Sequence, residues 1–271
     1  IDIKSRWNDD DPTGWDWLNG GKQFLWVTEK DGWRHIYLID RDGKESLVTK
    51  GDYDIQNIKC IDDKNGYVYF MASPGNATQL YLFRTKLNGK GKLEPLSPAD
   101  LIGTHDYNIS PEGKFAFHTF SNYKTFPAAE WITLPDGKPL NEDKSIAKNR
   151  RVNENSNVEY FKVTIDDSIS LDAWMVKPVD FDSTKKYPVV FYVYGEPAAS
   201  TVGDEFGAQN NFLYQGDMSL EGYFQISVDN RGTPSLRGRE WRKSIYGQIG
   251  RLNIHDQAMA AKKILEKPYF D

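Results

Sequence analysis

The sequence predicts a partial β-propeller followed by the N-terminal half of an α/β domain, and three observations carry that prediction. Short strand patterns divided by Asp-Gly and Asn-Gly turns return three times, with leading strands at residues 24, 67 and 115 and spacings of 43 and 48 residues. A polar stretch, residues 141–157, then interrupts the pattern. Beyond it, the apolar run in residues 186–197, KYPVVFYVYGEP, opens a region where strands alternate with helical patterns. Hairpins that give way to alternating elements mark a change of fold class, so residues 1–157 and residues 158–271 are predicted to be separate domains.

Within the first domain the order is regular. Residues 24–28, FLWVT, read as a strand, residues 30–32 as a turn, residues 35–39, HIYLI, as the next strand, and Asp42-Gly43 as a second turn before Leu47. Gly after Asp or Asn accepts the positive φ that tight hairpins require. The same order returns in residues 67–71 and 79–83 with the turn Asn88-Gly89. It returns again in residues 115–119 and 131–134 with Asp136-Gly137. A period near 40 to 50 residues, with short strands in each unit, is the arithmetic of propeller blades. Each blade needs neighbours to cover its faces, and propellers have ~4 to 8 blades, so three units make part of a ring. Trp15, Trp17, Trp26, Trp33 and Tyr37 read as blade packing and loop anchors. Asp9, Asp10 and Asp11 lack the alternation and glycine of a calcium loop and read as solvated loop. Residues 141–157, NEDKSIAKNRRVNENSN, read as a surface linker.

The second domain opens with an antiparallel pair, residues 158–165 and 171–176, turned around Asp166, Asp167 and Ser168. Residues 188–193 lack alternation and read as a buried third strand, and residues 223–228, YFQISV, as a fourth. A short helix is weakly signalled between them, in residues 206–222. Near the end, Ile254, Ala258, Ala261 and Leu265 recur at helical spacing as an apolar stripe, and Pro268 stops the helix. The chain begins at Ile1 without Met and closes at Asp271 just before another strand is expected, which reads as a piece cut from something longer.

Bulk properties narrow the function. The chain of 271 residues is 39% hydrophobic and 14% aromatic, enough for real cores, and its formal charge of −5 comes from 34 basic and 39 acidic residues mixed along the length. No basic field gathers nucleic acid or an anionic membrane, and no run has the length of a membrane helix. Cys60 is the single cysteine, so no internal disulfide forms, and His35, His105, His118 and His255 make no short ligand motif. The four histidines read as structural or polar-network residues.

Tyr194-Gly195 closes the third strand and residues 229–232, DNRG, follow the fourth, which places both at the carboxyl rim of a sheet like the first half of an α/β-hydrolase. A tyrosine there can aim its hydroxyl at a ligand or a developing charge. No Gly-x-Ser-x-Gly elbow is present, and His255 precedes any position a hydrolase nucleophile could take.

The blade repeats, the polar bridge, residues 187–197, residues 229–234 (DNRGTP) and residues 238–241 (GREW) together resemble the prolyl oligopeptidase family. Within it they resemble the dipeptidyl-peptidase IV branch of bacterial type. The similarity runs through essentially the whole chain, which resembles an internal fragment spanning the end of the propeller and the start of the α/β-hydrolase catalytic domain. The resemblance implies a serine exopeptidase that releases N-terminal Xaa-Pro or Xaa-Ala dipeptides from peptides with a free N-terminus, without cofactor. It also implies a dimer working outside the cytoplasm, periplasmic, secreted or attached to the cell envelope.

By the same resemblance Tyr194 is the tyrosine whose hydroxyl helps form the oxyanion hole. Residues 229–232 shape the rim through turns and pairing of Arg231. The catalytic serine, aspartate and histidine, and the paired propeller glutamates that hold the substrate's amino group, find no counterpart in these residues. The isolated chain is therefore expected to be inactive. The competing expectation is a noncatalytic propeller module that binds peptide or protein.

Overall fold

Alternating apolar and polar residues build three antiparallel meanders in the first part of the chain, each a separate sheet in which sequence neighbours pair. The computed structural model describes residues 15–166 and 168–271. The first sheet runs β1 (Trp15–Leu18), β2 (Gln23–Thr28), β3 (His35–Asp40) and β4 (Glu45–Leu47) in that order. The second runs β5 (Ile55–Asp62), β6 (Tyr67–Ala72), β7 (Tyr81–Lys86) and β8 (Glu94–Pro95). The third holds β9 (Thr104–Ile109), β10 (Phe115–Ser121) and β11 (Ala128–Thr133) in the order β11-β10-β9. The leading strands read from the sequence are thus the second strand of each sheet, each preceded by one more. The Asp9, Asp10 and Asp11 cluster and Asp167 lie outside the described residues.

These sheets bury their strands against one another as propeller blades do. Leu25, Val27, Ile36 and Leu38 of the first sheet meet Val68, Phe70, Ala72 and Phe83 of the second in one core. Tyr69, Met71 and Leu82, on the opposite face of the second sheet, meet Tyr107, Ala116 and Ile132 of the third in another. β6 is therefore buried on both faces, which is why its sequence reads as a continuous apolar run. The Asn88-Gly89 turn fits closely beside β4: Gly89 has φ +68°, and a Cβ there would lie 2.4 Å from the Leu47 carbonyl oxygen. Only glycine meets both conditions.

The third sheet carries a buried polar chain. His105 Nε2 lies 2.8 Å from the Leu101 carbonyl oxygen, its Nδ1 lies 2.9 Å from His118 Nε2, and His118 Nδ1 lies 2.9 Å from Glu130 Oε1. The other Glu130 oxygen accepts from the Ile146 amide at 3.1 Å. Both rings are fully buried, and Tyr107 stacks on His118 with centroids 4.4 Å apart. Burial pushes the His105 imidazole down to about 4, helped by the neighbouring His118 and opposed by the Leu101 contact.

The stretch 141–157 is more than a surface linker. It forms a 3-10 turn, Glu142–Lys144, and a single helical turn, α1 (Ile146–Asn149). Ile146 is buried with Leu101 and Phe120, which ties the segment to the third sheet. Arg151 lies over the Phe126 ring, 5.0 Å from its centroid.

The described residues fall into two compact units, one containing the three meanders with Phe126–Arg151 and Leu236–Glu240, the other containing Tyr123–Thr125, Val152–Ser235 and Trp241–Asp271. The second unit is built on a mixed sheet with order β12-β13-β15-β14. β12 (Val158–Ile165) and β13 (Ile169–Val176) are antiparallel, and β15 (Phe224–Val228) is antiparallel to β13 but parallel to β14 (Val189–Phe191). β15 is buried throughout, its Gln225 and Ser227 included. β14 differs from expectation: it is three residues long and half-buried, because it closes the sheet's edge apart from one parallel bridge between Tyr187 and Phe270. Residues 206–222 form turns and no helix.

Two helices follow, α2 (Gly238–Lys243) and α3 (Leu252–Ile264). The stripe of α3 that is buried is Asp256, Ala260 and Ile264, whereas Ile254 and Leu265 are exposed. The expected stripe is thus rotated off the core. The cause is Asp256, whose buried carboxylate takes a two-pronged pair from Arg231, at 2.9 Å from Nε and 2.6 Å from a terminal nitrogen. Its long-range partner makes an acidic residue suitable for the inward face. No helix among the described residues is long and apolar enough to cross a membrane.

Candidate active-site rim

Parallel pairing of β14 with β15 brings the two strands' carboxyl ends side by side, and the residues leaving them are joined by side chains of β15 and the turn after it. Tyr192 continues the ladder for one bond, its amide donating to the Ile226 carbonyl at 2.8 Å. Its carbonyl accepts from Ser227 Oγ at 2.6 Å. Ser227 Oγ also lies 2.7 Å from Thr201 Oγ1. Three residues further on, the Gly195 carbonyl accepts from Asn230 Nδ2 at 3.1 Å. Tyr194 therefore stands between two fixed carbonyls.

Gly195 has φ +75°, a conformation that turns the chain sharply away from the strand direction. The Tyr194 side chain is 45% exposed, and its hydroxyl has no hydrogen-bond partner among the described residues. The sequence places Tyr194 at the end of the third strand; the structure places it three residues beyond, on the rim loop.

Asp229 holds the far side of this loop. Its carboxylate accepts from the Thr201 amide at 2.8 Å and from the Thr201 hydroxyl at 3.2 Å. Burial raises its pKa to about 6, while the bonds from Thr201 and the neighbouring Ser200 and Val202 work in the opposite direction. Asn230 is fully buried and Arg231 turns outward to Asp256, with its own amide also donating to that carboxylate at 3.0 Å. Asp229 is thus tied to Thr201 and Arg231 to Asp256.

His255 is half-exposed on α3, with ring nitrogens 3.4 Å from Asp256 and 3.5 Å from Asp166. No group of three or more histidine, cysteine or acidic residues among the described residues is placed to hold a metal. Thr201 and Gln257 belong to the rim yet carry no sequence signal for it, whereas Asn230 lies in the 229–232 turn that the sequence sets there.

Comparison with known proteins adds independent information. Residues 5–127 match the family model described as the dipeptidyl peptidase IV N-terminal region. The chain is 28% identical over 255 residues to a probable dipeptidyl peptidase 4 of Aspergillus flavus, covering 92% of this chain and 32% of that protein. It is 28% identical over 263 residues to dipeptidyl peptidase 4 of Trichophyton rubrum, covering 94% of this chain and 33% of that protein. The crystal structure of Porphyromonas gingivalis dipeptidyl peptidase 4 superposes with a TM-score of 0.81 at 28% identity, over 97% of this chain and 36% of the other. A putative dipeptidyl aminopeptidase IV from Bacteroides ovatus, at 21% identity and a TM-score of 0.78, shares the fold over 95% of this chain and 39% of its own. The chain spans about a third of the length of the curated relatives it matches. Residues 5–127 thus match the dipeptidyl peptidase IV N-terminal region, and the chain as a whole is similar in sequence and in fold to dipeptidyl peptidases 4.

Proposed function

We propose that this chain is part of a serine exopeptidase that removes N-terminal Xaa-Pro or Xaa-Ala dipeptides, and that Tyr194 supplies one donor of its oxyanion hole. The observation that carries the reading is the rim geometry: an exposed phenol with an unpartnered hydroxyl, held between two anchored carbonyls at the carboxyl end of a parallel strand. Similarity along the chain to dipeptidyl peptidases 4 supports the reaction class.

The chemistry is that of acyl transfer. When a serine hydroxyl attacks the scissile carbonyl, its proton passes to a base and negative charge grows on the carbonyl oxygen. A donor already aimed at that oxygen stabilises the transition state more than the ground state. A phenol supplies such a donor without carrying charge of its own, and anchored flanking carbonyls reduce the reorganisation needed to use it.

On this reading residues 1–157 are the last propeller blades with their connection, and residues 158–271 are the N-terminal half of an α/β-hydrolase domain. The mixed sheet with its parallel pair and following helices supports the second assignment. The substrate is a peptide with a free N-terminus. The full-length protein is a dimer of the periplasm, cell envelope or exterior and needs no cofactor. The chain alone is inactive, since its sequence holds no Gly-x-Ser-x-Gly elbow.

The test is hydrolysis of a Gly-Pro chromogenic amide by the full-length protein and by this chain. Turnover by the former and none above buffer by the latter is expected. A full-length protein that binds peptide but does not cleave it would replace this reading with that of a binding module.

A further inference from the structure

We propose that Asn230 and Gln257 form a positioning pair that sets the rim loop carrying Tyr194, an inference that rests on the oxyanion reading of that tyrosine. Every side-chain amide hydrogen of the pair is used. Asn230 Nδ2 gives one hydrogen to the Gly195 carbonyl at 3.1 Å and the other to the Arg231 carbonyl at 2.7 Å. Its Oδ1 accepts from Gln257 Nε2 at 3.0 Å, and the second Gln257 hydrogen goes to the Val228 carbonyl at 2.7 Å.

Two carbonyl oxygens on one side of the Asn230 amide and a donor on the other fix its orientation, because a flipped amide would set oxygen against oxygen. Asn230 is fully buried, so none of these bonds has water as an alternative partner. The brace thus runs from α3, through Gln257 and Asn230, to the peptide that links Gly195 to Glu196. Gly195 leaves room for it: a Cβ at that position would come within 3.3 Å of Asn230 Oδ1.

The brace controls the direction in which Tyr194 leaves the sheet. Tyr192 is already fixed to β15 by its backbone, so the loop's remaining freedom lies at Val193, Tyr194 and Gly195. Locking the Gly195 carbonyl removes most of it. A donor in an oxyanion hole must meet a charge that exists only in the transition state, and misplacing such a group by about 1 Å can cost up to about 100-fold in rate. Asn230 and Gln257 therefore act through Tyr194 and touch no substrate.

The experiment is a double-mutant cycle in the full-length protein on the Gly-Pro chromogenic amide. Asn230→Asp keeps the side chain's shape and removes both donors, and Gln257→Leu removes the brace from α3. Each variant is first checked for cooperative melting. In the Tyr194 background, each is expected to lower kcat on the order of 10-fold or more with KM changed far less. In the Tyr194→Phe background the same substitutions are expected to leave kcat where Tyr194→Phe alone puts it, a coupling that general loosening of the fold would not produce.

Equal losses in both backgrounds, or wild-type kcat in a folded variant while Tyr194→Phe is impaired, would overturn the positioning role. If Asn230→Asp fails to fold, Gln257→Leu decides alone. Unchanged kcat in Tyr194→Phe itself would instead remove the oxyanion reading, and the pair's role with it, so the two failures are told apart.

Discussion

Acidification is expected to weaken the first unit through His105, and the structure sets the size of the effect. The His105 ring is fully buried, and its Nε2 donates to the Leu101 carbonyl, so the lone pair on Nδ1 faces His118 Nε2 at 2.9 Å. A second proton on His105 would place a charge in a fully buried site beside His118. Its pKa accordingly falls from 6.5 to about 4. Between those values the unfolded chain binds the proton and the folded chain does not. The stabilisation is therefore complete above pH 6.5 and is lost as pH falls toward 4. At ~1.4 kcal/mol per pH unit the loss amounts to about 3 kcal/mol, a large part of an ordinary domain's stability. Glu130 adds to the same trend, because its contacts with His118 and the Ile146 amide hold its pKa below the usual carboxylate value against the cost of burial. Imidazole resonances followed from pH 7 to 3.5, with amide exchange of β9 and β10, measure both parts. A His105 that titrates near 6.5 in the folded protein, or exchange protection that is flat with pH, would refute the reasoning.

Asp229 is expected to act with the opposite sign in the second unit: with its pKa raised from 3.8 to about 6 by burial, stability is greatest below pH 3.8 and declines as pH rises through 6. A carboxyl carbon titrating near 6 would bear this out, and one titrating near 4 would contradict it. Arg231→Ala strands the fully buried Asp256 carboxylate and is expected to cost about 3–5 kcal/mol in urea unfolding, with Lys restoring little because it cannot make the two-pronged pair. Phe70→Ala empties the core between the first two sheets and is expected to cost about 3–5 kcal/mol, whereas a loss below ~1 kcal/mol would argue against their packing face to face.

Where apolar pattern and burial coincide, the sequence is a reliable guide. β6 is buried on both faces and reads as an unbroken apolar run, and the Asp-Gly and Asn-Gly turns mark the hairpins. β9 is not legible from the sequence, because the residues it buries are His105 and Tyr107, polar side chains whose partners, His118 and Ser97, lie elsewhere in the chain. The stripe of α3 was misread for a related reason. Asp256 faces inward only because Arg231, 25 residues earlier, reaches it, and no window along the helix contains that information. Tyr194 stands out by its place between an apolar run and a turn, and Asn230 by its place in the 229–232 turn, but Gln257 does not. Neither amide has periodicity or charge to announce its role, which exists only once β14 and β15 lie side by side.

The account turns on the Tyr194 hydroxyl, and the most direct test is kcat for Tyr194→Phe in the full-length protein on a Gly-Pro chromogenic amide. Removal of one oxyanion donor is expected to lower kcat by about 10²- to 10³-fold, with little change in KM or in the melting transition. A folded Tyr194→Phe protein with unchanged kcat would contradict the account.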